Sequence, residues 1–312
     1  MTKYTTGTWL VFIAALLWAV DGPFRKYLTG DLSSTTIVLM EHITIAVLVI
    51  IFLWKYLAEL AKLSRKEWLA VAFIGFGGSA LATVFFTQSF HYINPSVALL
   101  LQKVQPLVAI ALAVGVLGER LNKKFWLWAA VGILGAYLIT FPEIKISGLA
   151  FSGGTLGIVY ALLAAFFWCG STVFGRLVLK TISFQAMTAI RFLSALVFLA
   201  GLELYYGSYA ELAHASTKDW LYVFMTAVVA GFISLFIYYA GLRTTRASVA
   251  TIAELAYPFA GVAVNWIFLG ATLQVGQFVG GVVLVSAIAM LSLVNSEISA
   301  EQALSQAEFE VK

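Results

Sequence analysis

Six ionisable side chains stand inside long apolar stretches of the sequence and are the first candidates for chemistry: Asp21, Glu41, His42, Lys103, Arg191 and Glu254. In hydrocarbon such a group costs about 2.5 to 3.5 kcal/mol, so each needs a partner, a wet cavity or a function. Glu41 lies near the centre of its apolar stretch, where a carboxylate must be paired, hydrated or protonated. A proton carrier, a cation ligand and a buried ion pair are the interpretations of Glu41. His42 points about 100° away on a helix and is left out of the site.

Arg191 and Asp21 each have two interpretations. Arg191 is a permanent cation whose planar fork suits a substrate carboxylate, and it can equally tie helices together through backbone carbonyls. Asp21 precedes Gly22-Pro23, where the first helix is expected to kink. It can pair with Arg25 or Lys26, and we interpret it as a gate or proton-coupling residue, a role that Glu41 shares.

Two polar clusters precede prolines at equivalent places, and both are predicted to line a substrate site: Gln102, Lys103 and Pro106 in the first, Glu254, Tyr257 and Pro258 in the second. A proline removes a backbone donor and frees a carbonyl one turn upstream. In a membrane this is tolerated beside partner helices or a wet cavity, so both prolines are predicted hinges. The alternative is a kink satisfied by neighbouring helices without substrate contact.

Trp18 and Trp168 lie too deep in their apolar stretches for the interfacial belt of aromatic residues. A tryptophan that faces a cavity offers a flat surface to an apolar or cationic group. Both are predicted to contact substrate, and plain helix packing is the alternative.

The elements that position these side chains follow from the composition. Of 312 residues, 62% are hydrophobic and 11% are charged, whereas soluble domains contain roughly 25% charged residues. At about 20 apolar residues per crossing, the chain has room for about ten transmembrane helices. Charged and turn-forming breaks predict them at 8–27, 33–54, 67–90, 95–117, 124–141, 155–178, 183–205, 219–241, 247–269 and 275–294.

Thirteen of the 19 lysines and arginines lie at the termini or in the loops on one side of these helices, a side that we call the basic face. It includes Arg65, Arg120, Lys123 and Arg243. By the positive-inside rule this face, with both termini, is expected to be cytoplasmic in an inner (plasma) membrane. The basic residues stand singly, so no nucleic-acid partner is expected.

With Cys169 as the single cysteine and three scattered histidines, no disulfide, metal or cofactor is expected. The Gly276-x3-Gly280 pair permits close helix contact, which we assign to packing within one chain, and we expect a monomer.

The sequence contains an internal repeat. Residues 66–118 align without a gap to 218–270 at an offset of 152. Upstream, an offset of 150 places Glu41 opposite Arg191. Because five helices is an odd number, the second copy enters the membrane from the opposite face, an inverted repeat common in secondary transporters.

The predicted fold is therefore an all-α membrane protein with about ten transmembrane helices in two inverted five-helix repeats. The first repeat spans 1–146 and the second 147–295. Residues 296–312 form a cytoplasmic tail.

Short motifs occur once in each half: a tryptophan late in the first helix (LLWAVDGPF, FFWCGSTVF) and a glycine that closes the fourth (VLGERL, FLGATL). The fourth helix of the first half also reads SVA-x7-Pro, and the ninth repeats the pattern. In order and spacing the chain resembles the EamA family of the drug/metabolite transporter superfamily, whose members export amino acids and other metabolites or take up small organic solutes. Two departures are Glu41, where many members carry arginine, and Gly-Ala at 270–271, where Gly-Glu is common.

A secondary transporter working by alternating access is the leading hypothesis. Two acids and two bases at similar depth suit a zwitterion, so an amino acid exporter is the first choice and a proton-coupled antiporter of organic cations the alternative, with protons as coupling ion. A lipid-modifying enzyme is disfavoured because His91 and His214 lie in outer loops far from Glu41. A passive channel is disfavoured because paired prolines and inverted halves indicate a moving carrier.

Overall fold

The computed structural model describes residues 3–93, 98, 101–140, 155–207, 209–257, 260–261 and 275–310. All regular elements in these ranges are helical, and no strand occurs among them. Seven helices of this part are long and apolar enough to cross a membrane, and Gln102–Leu117 is a shorter apolar helix. The chain is thus an all-helical, multi-pass membrane protein.

The helices in chain order are α1 (Lys3–Trp18), α2 (Asp21–Leu28), α3 (Ser34–Leu60), α4 (Arg65–Tyr92), α5 (Gln105–Leu117), α6 (Lys123–Thr140), α7 (Thr155–Val178), α8 (Phe184–Tyr206), α9 (Tyr209–His214), α10 (Thr217–Leu242), α11 (Ala247–Ala253) and α12 (Val275–Glu310). A 3₁₀ turn over Gln102–Val104 leads into α5.

The apolar stretch predicted as one helix at 8–27 is two helices. α1 ends at Trp18 and α2 begins at Asp21, with Pro23 as the third residue of α2. Proline is tolerated in a first turn because the N–H that it lacks would have no helical partner there. The break therefore falls before Asp21, and α2 carries Asp21 and Arg25 one turn apart.

Local structure is duplicated at the spacing of the sequence repeat. Ser33 and Ser183 cap α3 and α8 with their hydroxyls. Capping boxes at Ser64 and Ser216 begin α4 and α10. Each of these hydroxyls accepts a bond from a backbone N–H that would otherwise lack a partner at a helix start.

Both α4 and α10 contain a π-helical segment in their middle, over Phe73–Leu81 and Thr226–Ile233. Such segments widen a helix and shift backbone groups out of the α pattern, and they are frequent at functional sites. The two helices differ little from apolar α-helices in sequence, so the segments could not be predicted from periodicity.

The π-helical segment of α4 lies against α7 and α8 through glycines. A Cβ atom added at Gly78 would lie 1.5 Å from Ser171 Oγ, and one added at Gly75 would lie 2.0 Å from Ser194 Oγ. Neither distance is sterically possible. The close approach of α4 to its neighbours therefore depends on the absence of side chains at these two positions.

We expect Gly78→Ala to lower the thermal unfolding midpoint of the detergent-purified protein by a few degrees, because α4 must move away from α7 at a cost of about 1–3 kcal/mol. Gly115→Ala is the matched control, since no atom lies within 4 Å of a Cβ at that position. Alanine also favours a helix over glycine there. Equal midpoints for the two variants would contradict the close contact.

The helix contacts between the two halves are symmetric, because exchanging the halves converts each contact into another one or into itself. α1 packs on α10 and α7 packs on α4, while α3 packs on α8, α5 on α11 and α6 on α12. The last contact is close: a Cβ at Gly280 would lie 2.8 Å from the carbonyl oxygen of Gly135. Gly280 thus packs within the chain, against α6.

Candidate functional site

A cavity of about 200 Å³ lies between the two halves and receives side chains from α1 to α5, α7, α8, α10 and α11. The residues proposed from the sequence that lie on its wall are Trp18, Asp21, Glu41, Gln102, Lys103, Pro106, Trp168, Arg191, Glu254 and Tyr257. Pro258 lies outside the described residues. The structure thus brings the two halves of the predicted site together, and the roles of its members in binding and coupling remain predictions.

Arg25 connects two carboxylates on this wall. Its Nε donates to Asp21 Oδ2 at 2.6 Å and its Nη2 to Glu41 Oε1 at 2.7 Å, while Nη1 donates to Thr87 Oγ1 at 2.7 Å. Thr226 Oγ1 lies 3.2 Å from the same Glu41 oxygen. The Arg25 and Glu41 side chains are each 6% exposed, so the pair is shielded from solvent and Glu41 is held in a buried ion pair in this conformation.

Arg191 is held by protein acceptors on neighbouring helices. Its Nη1 donates to Tyr239 Oη at 2.8 Å, its Nη2 to the carbonyl oxygen of Gly78 at 2.8 Å and its Nε to Ser79 Oγ at 3.3 Å. Ser79 Oγ also lies 3.0 Å from His42 Nε2. The carbonyl of Gly78 belongs to the π-helical segment of α4. In this arrangement Arg191 ties α4, α8 and α10 together.

Glu254 is bonded to neutral groups. Tyr238 Oη donates to Glu254 Oε1 at 2.7 Å, and Thr172 Oγ1 lies 3.4 Å from the same oxygen. No lysine or arginine in the described part of the chain forms an ion pair with Glu254. The carboxylate is thus positioned at the cavity wall without an ionic partner among the described residues.

Lys103 belongs to the polar cluster of the first half, which lies on the cavity wall. Gln105 Nε2 donates to Gln102 Oε1 at 2.6 Å, and Gln102 Nε2 donates to a carbonyl oxygen of α7 at 2.8 Å. Lys103 itself forms no ion pair with the residues that the structure describes. The chain changes from 3₁₀ to α-helix at Gln105, next to Pro106. The cavity therefore holds one cation and one anion that lack ionic partners among the described residues.

Two pairs of aromatic rings line the cavity. The ring centroids of Trp18 and Tyr238 are 5.5 Å apart, and those of Trp168 and Phe86 are 5.2 Å apart. All four residues, together with Tyr257, lie on the wall. Each tryptophan packs on a neighbouring ring and also lines the cavity, and its contact with substrate stays a prediction.

Arg25, His42 and Tyr238 lie on the cavity wall but were not proposed as site residues from the sequence. Arg25 follows Gly22-Pro23, and its pairing with Asp21 is one of the two pairings that the sequence predicts for Asp21. The signal that indicates it is its i, i+4 spacing from Asp21 on α2.

Comparisons with known proteins point to a family of transporters. The sequence pattern of the EamA-like transporter family matches residues 5–141 and 155–293. The chain is 28% identical over 300 residues to the riboflavin transporter ImpX of Fusobacterium nucleatum subsp. nucleatum (strain ATCC 23726 / VPI 4351), covering 95% of this chain and 100% of that protein. It is 30% identical over 167 residues to protein RarD of Escherichia coli (strain K12), covering 51% of this chain and 55% of that protein.

A protein of known crystal structure has the same fold, with a TM-score of 0.69 at 18% sequence identity over 94% of this chain and 98% of that one. At this identity the likeness concerns the fold alone. The family and the ImpX relative are named as transporters, a class distinct from enzymes.

Proposed function

Because the chain belongs to the EamA-like transporter family, we propose that it is a secondary transporter that moves a small metabolite across an inner membrane by alternating access. The substrate site is the cavity between the two halves, where secondary transporters of inverted-repeat type bind their substrates. Rocking of the halves about this cavity exposes it to each side in turn.

The proposed architecture is ten transmembrane helices in two inverted five-helix repeats, 1–146 and 147–295. Its support is the exchange symmetry of the helix contacts, in which α1 on α10 corresponds to α7 on α4. The duplicated caps and π-helical segments support it independently. The basic face, both termini and the tail at 296–312 are cytoplasmic in this proposal.

The proposed substrate is an amino acid or related zwitterion, exported from the cell. The observation that carries this is the presence of Lys103 and Glu254 on one cavity wall, neither with an ionic partner in the described part of the chain. A zwitterion supplies a carboxylate to the first and an ammonium to the second, so both half-buried charges are neutralised on binding. The aromatic walls at Trp18 and Trp168 then enclose its side chain.

The test is counterflow in proteoliposomes loaded with unlabelled amino acids, with uptake of each radiolabelled amino acid measured at increasing concentration. We expect saturable exchange for a subset with apolar or aromatic side chains. Proteoliposomes containing Glu254→Gln are measured in parallel. Exchange of the same amino acids is expected to fall in this variant while the protein remains folded. Flux that rises linearly with concentration would indicate a channel and contradict the proposal.

A flavin is the second candidate substrate. The observation that favours it is the match over the full length of a relative named as a riboflavin transporter, joined to a cavity lined by two pairs of aromatic rings. A flat heterocycle stacks on such rings without needing charge partners. Riboflavin added to the counterflow assay decides between the candidates: competition with amino acids places both in one cavity, and exchange of riboflavin without amino acid flux replaces the first candidate by the second.

A further inference from the structure

Glu119, in the loop between α5 and α6, binds the first residues of α11 in the other half. Its Oε1 accepts the Ala247 N–H at 2.8 Å, and its Oε2 accepts the Ser248 hydroxyl at 2.5 Å and the Ser248 N–H at 3.3 Å. Arg246 Nε lies 3.7 Å from Oε2, and these two charged side chains are 8% and 9% exposed. Arg246 gives α11 no side-chain cap, so Glu119 provides the acceptor for these backbone donors.

Further bonds hold the same place together. Arg246 Nη2 donates to the carbonyl oxygen of Arg120 at 2.9 Å, and the Arg246 N–H donates to Asn295 Oδ1 at 3.1 Å. The contact thus joins the loop after α5, the loop before α11 and helix α12. It lies on the basic face, beside Arg120 and Arg243.

Other carboxylates also cross between the halves: Glu67 accepts from Thr181 Oγ1 and Glu203 accepts from Thr36 Oγ1. Glu59 and Glu211 form a pair, with one member on each face. Glu59 Oε2 accepts the Ser183 N–H at 2.6 Å, and Glu211 Oε2 accepts the Ser33 N–H at 2.8 Å. Glu59 and Glu211 are 152 residues apart, the offset of the repeat. Because the same contact is made on both faces, it favours neither.

The Glu119 contact differs from the contacts of Glu59 and Glu211, because the repeat does not duplicate it. The residue 152 positions later is Ala271, and the position equivalent to Ser248 is Ser96. Both lie outside the described residues, so the comparison rests on the sequence. A methyl group accepts no hydrogen bond and carries no charge, so the sequence provides this carboxylate on the basic face only.

We propose that Glu119 is a one-sided latch, which holds the basic face closed and biases the empty carrier toward the conformation open at the opposite face. The proposal rests on the alternating access proposed above. A contact made in one of two conformations shifts their ratio by its own free energy. Loss of one charge-assisted acceptor is expected to change that ratio about tenfold.

The test uses a protein in which Cys169, the single cysteine, is replaced by serine. Cysteines are then placed one at a time at two positions on the cavity wall: Thr251→Cys in α11, toward the basic face, and Thr83→Cys in α4, toward the opposite face. A membrane-impermeant maleimide is added to each side of vesicles of known orientation. With Glu119→Gln, the Thr251→Cys site is expected to react about tenfold faster from the basic face, and the Thr83→Cys site more slowly from the opposite face.

Asp219→Asn is the matched control. Asp219 is a buried carboxylate that accepts the Ser216 N–H at 2.8 Å within its own half, so its loss leaves the labelling ratio unchanged. Ala271→Glu is the converse variant, since it adds a carboxylate at the equivalent position and is expected to reduce the bias. Ser248→Ala, which removes the hydroxyl donor alone, shifts the ratio in the same direction as Glu119→Gln and by less.

Unchanged labelling rates in Glu119→Gln and Ser248→Ala, with thermal unfolding midpoints like that of the parent, would overturn the latch and leave alternating access standing. If the parent protein instead reacts equally from both faces at both positions, with or without amino acids, the carrier mechanism itself is contradicted. Labelling of the parent protein therefore distinguishes failure of the latch from failure of alternating access.

Discussion

Lys103→Met is expected to weaken the binding of amino acids about 10- to 100-fold while raising the stability of the empty protein. Lys103 is half-buried on the cavity wall and forms no ion pair within the described part of the chain. An unpaired ammonium away from water is destabilising, so methionine, of similar length and without charge, is expected to raise the thermal unfolding midpoint by a few degrees. A function that costs stability in this way is typical of binding sites.

The loss of binding follows from the carboxylate of the substrate. A charge-assisted hydrogen bond contributes about 1.5–3 kcal/mol, so affinity for an amino acid is expected to fall about 10- to 100-fold, as measured by ligand-induced thermal shift. A ligand with the same side chain and ammonium but no carboxylate is expected to bind the parent and Lys103→Met equally. An unchanged affinity for amino acids would exclude Lys103 from the site.

Lys124→Met is the control for the loss of one lysine. Lys124 forms an ion pair with Glu297 at 3.0 Å, and the two side chains are 65% and 53% exposed. Exposed pairs of this kind contribute little to stability. We therefore expect neither the unfolding midpoint nor the amino acid affinity to change.

Arg25→Met is expected to unfold or severely destabilise the protein. The change leaves the buried carboxylate of Glu41 and the largely buried carboxylate of Asp21 without their shared cation. Removing one partner of a buried ion pair costs about 3–5 kcal/mol, because the remaining charge has neither water nor a counterion. The measurement is the thermal unfolding midpoint in detergent, with transport in proteoliposomes for any folded fraction.

Two variants show whether the loss is due to the charge network. Lys26→Met removes the same charge from the neighbouring, exposed position and is expected to behave as the parent. Combining Arg25→Met with Glu41→Gln removes one of the two stranded carboxylates and is expected to recover part of the midpoint. A midpoint for Arg25→Met equal to that of Lys26→Met would show that the ion pair contributes nothing.

The sequence predicted which helices carry the site, because ionisable groups in apolar stretches and prolines after polar clusters are visible without coordinates. Glu41, Lys103 and Glu254 were proposed in this way, and all three lie on the cavity wall. The partners of Glu41 and Glu254 were not predicted, because a partner is chosen by packing between different helices. Glu41 and Arg191 are equivalent in the repeat, yet Glu41 pairs with Arg25 and Arg191 bonds to Tyr239.

His42 and Tyr238 show two further limits. His42 follows Glu41 and was expected to point away from the site, because neighbours on a helix point about 100° apart. Both residues nevertheless line the cavity. Tyr238 stands in an apolar stretch where an aromatic residue is ordinarily packing, and its hydroxyl acquires a role only when α10 meets Glu254. The π-helical segments shift backbone groups out of the α-helical pattern, and no periodicity in the sequence indicates where they occur.

The paired contacts of Glu59 and Glu211 have a consequence for how the molecule becomes one body. Each carboxylate belongs to one half and completes the first turn of a helix in the other, at Ser183 and at Ser33. Either half by itself would therefore lack the carboxylate that accepts this backbone N–H. Each half thus completes a helix start in the other, and we expect either half expressed alone to be less stable than the same half within the whole chain.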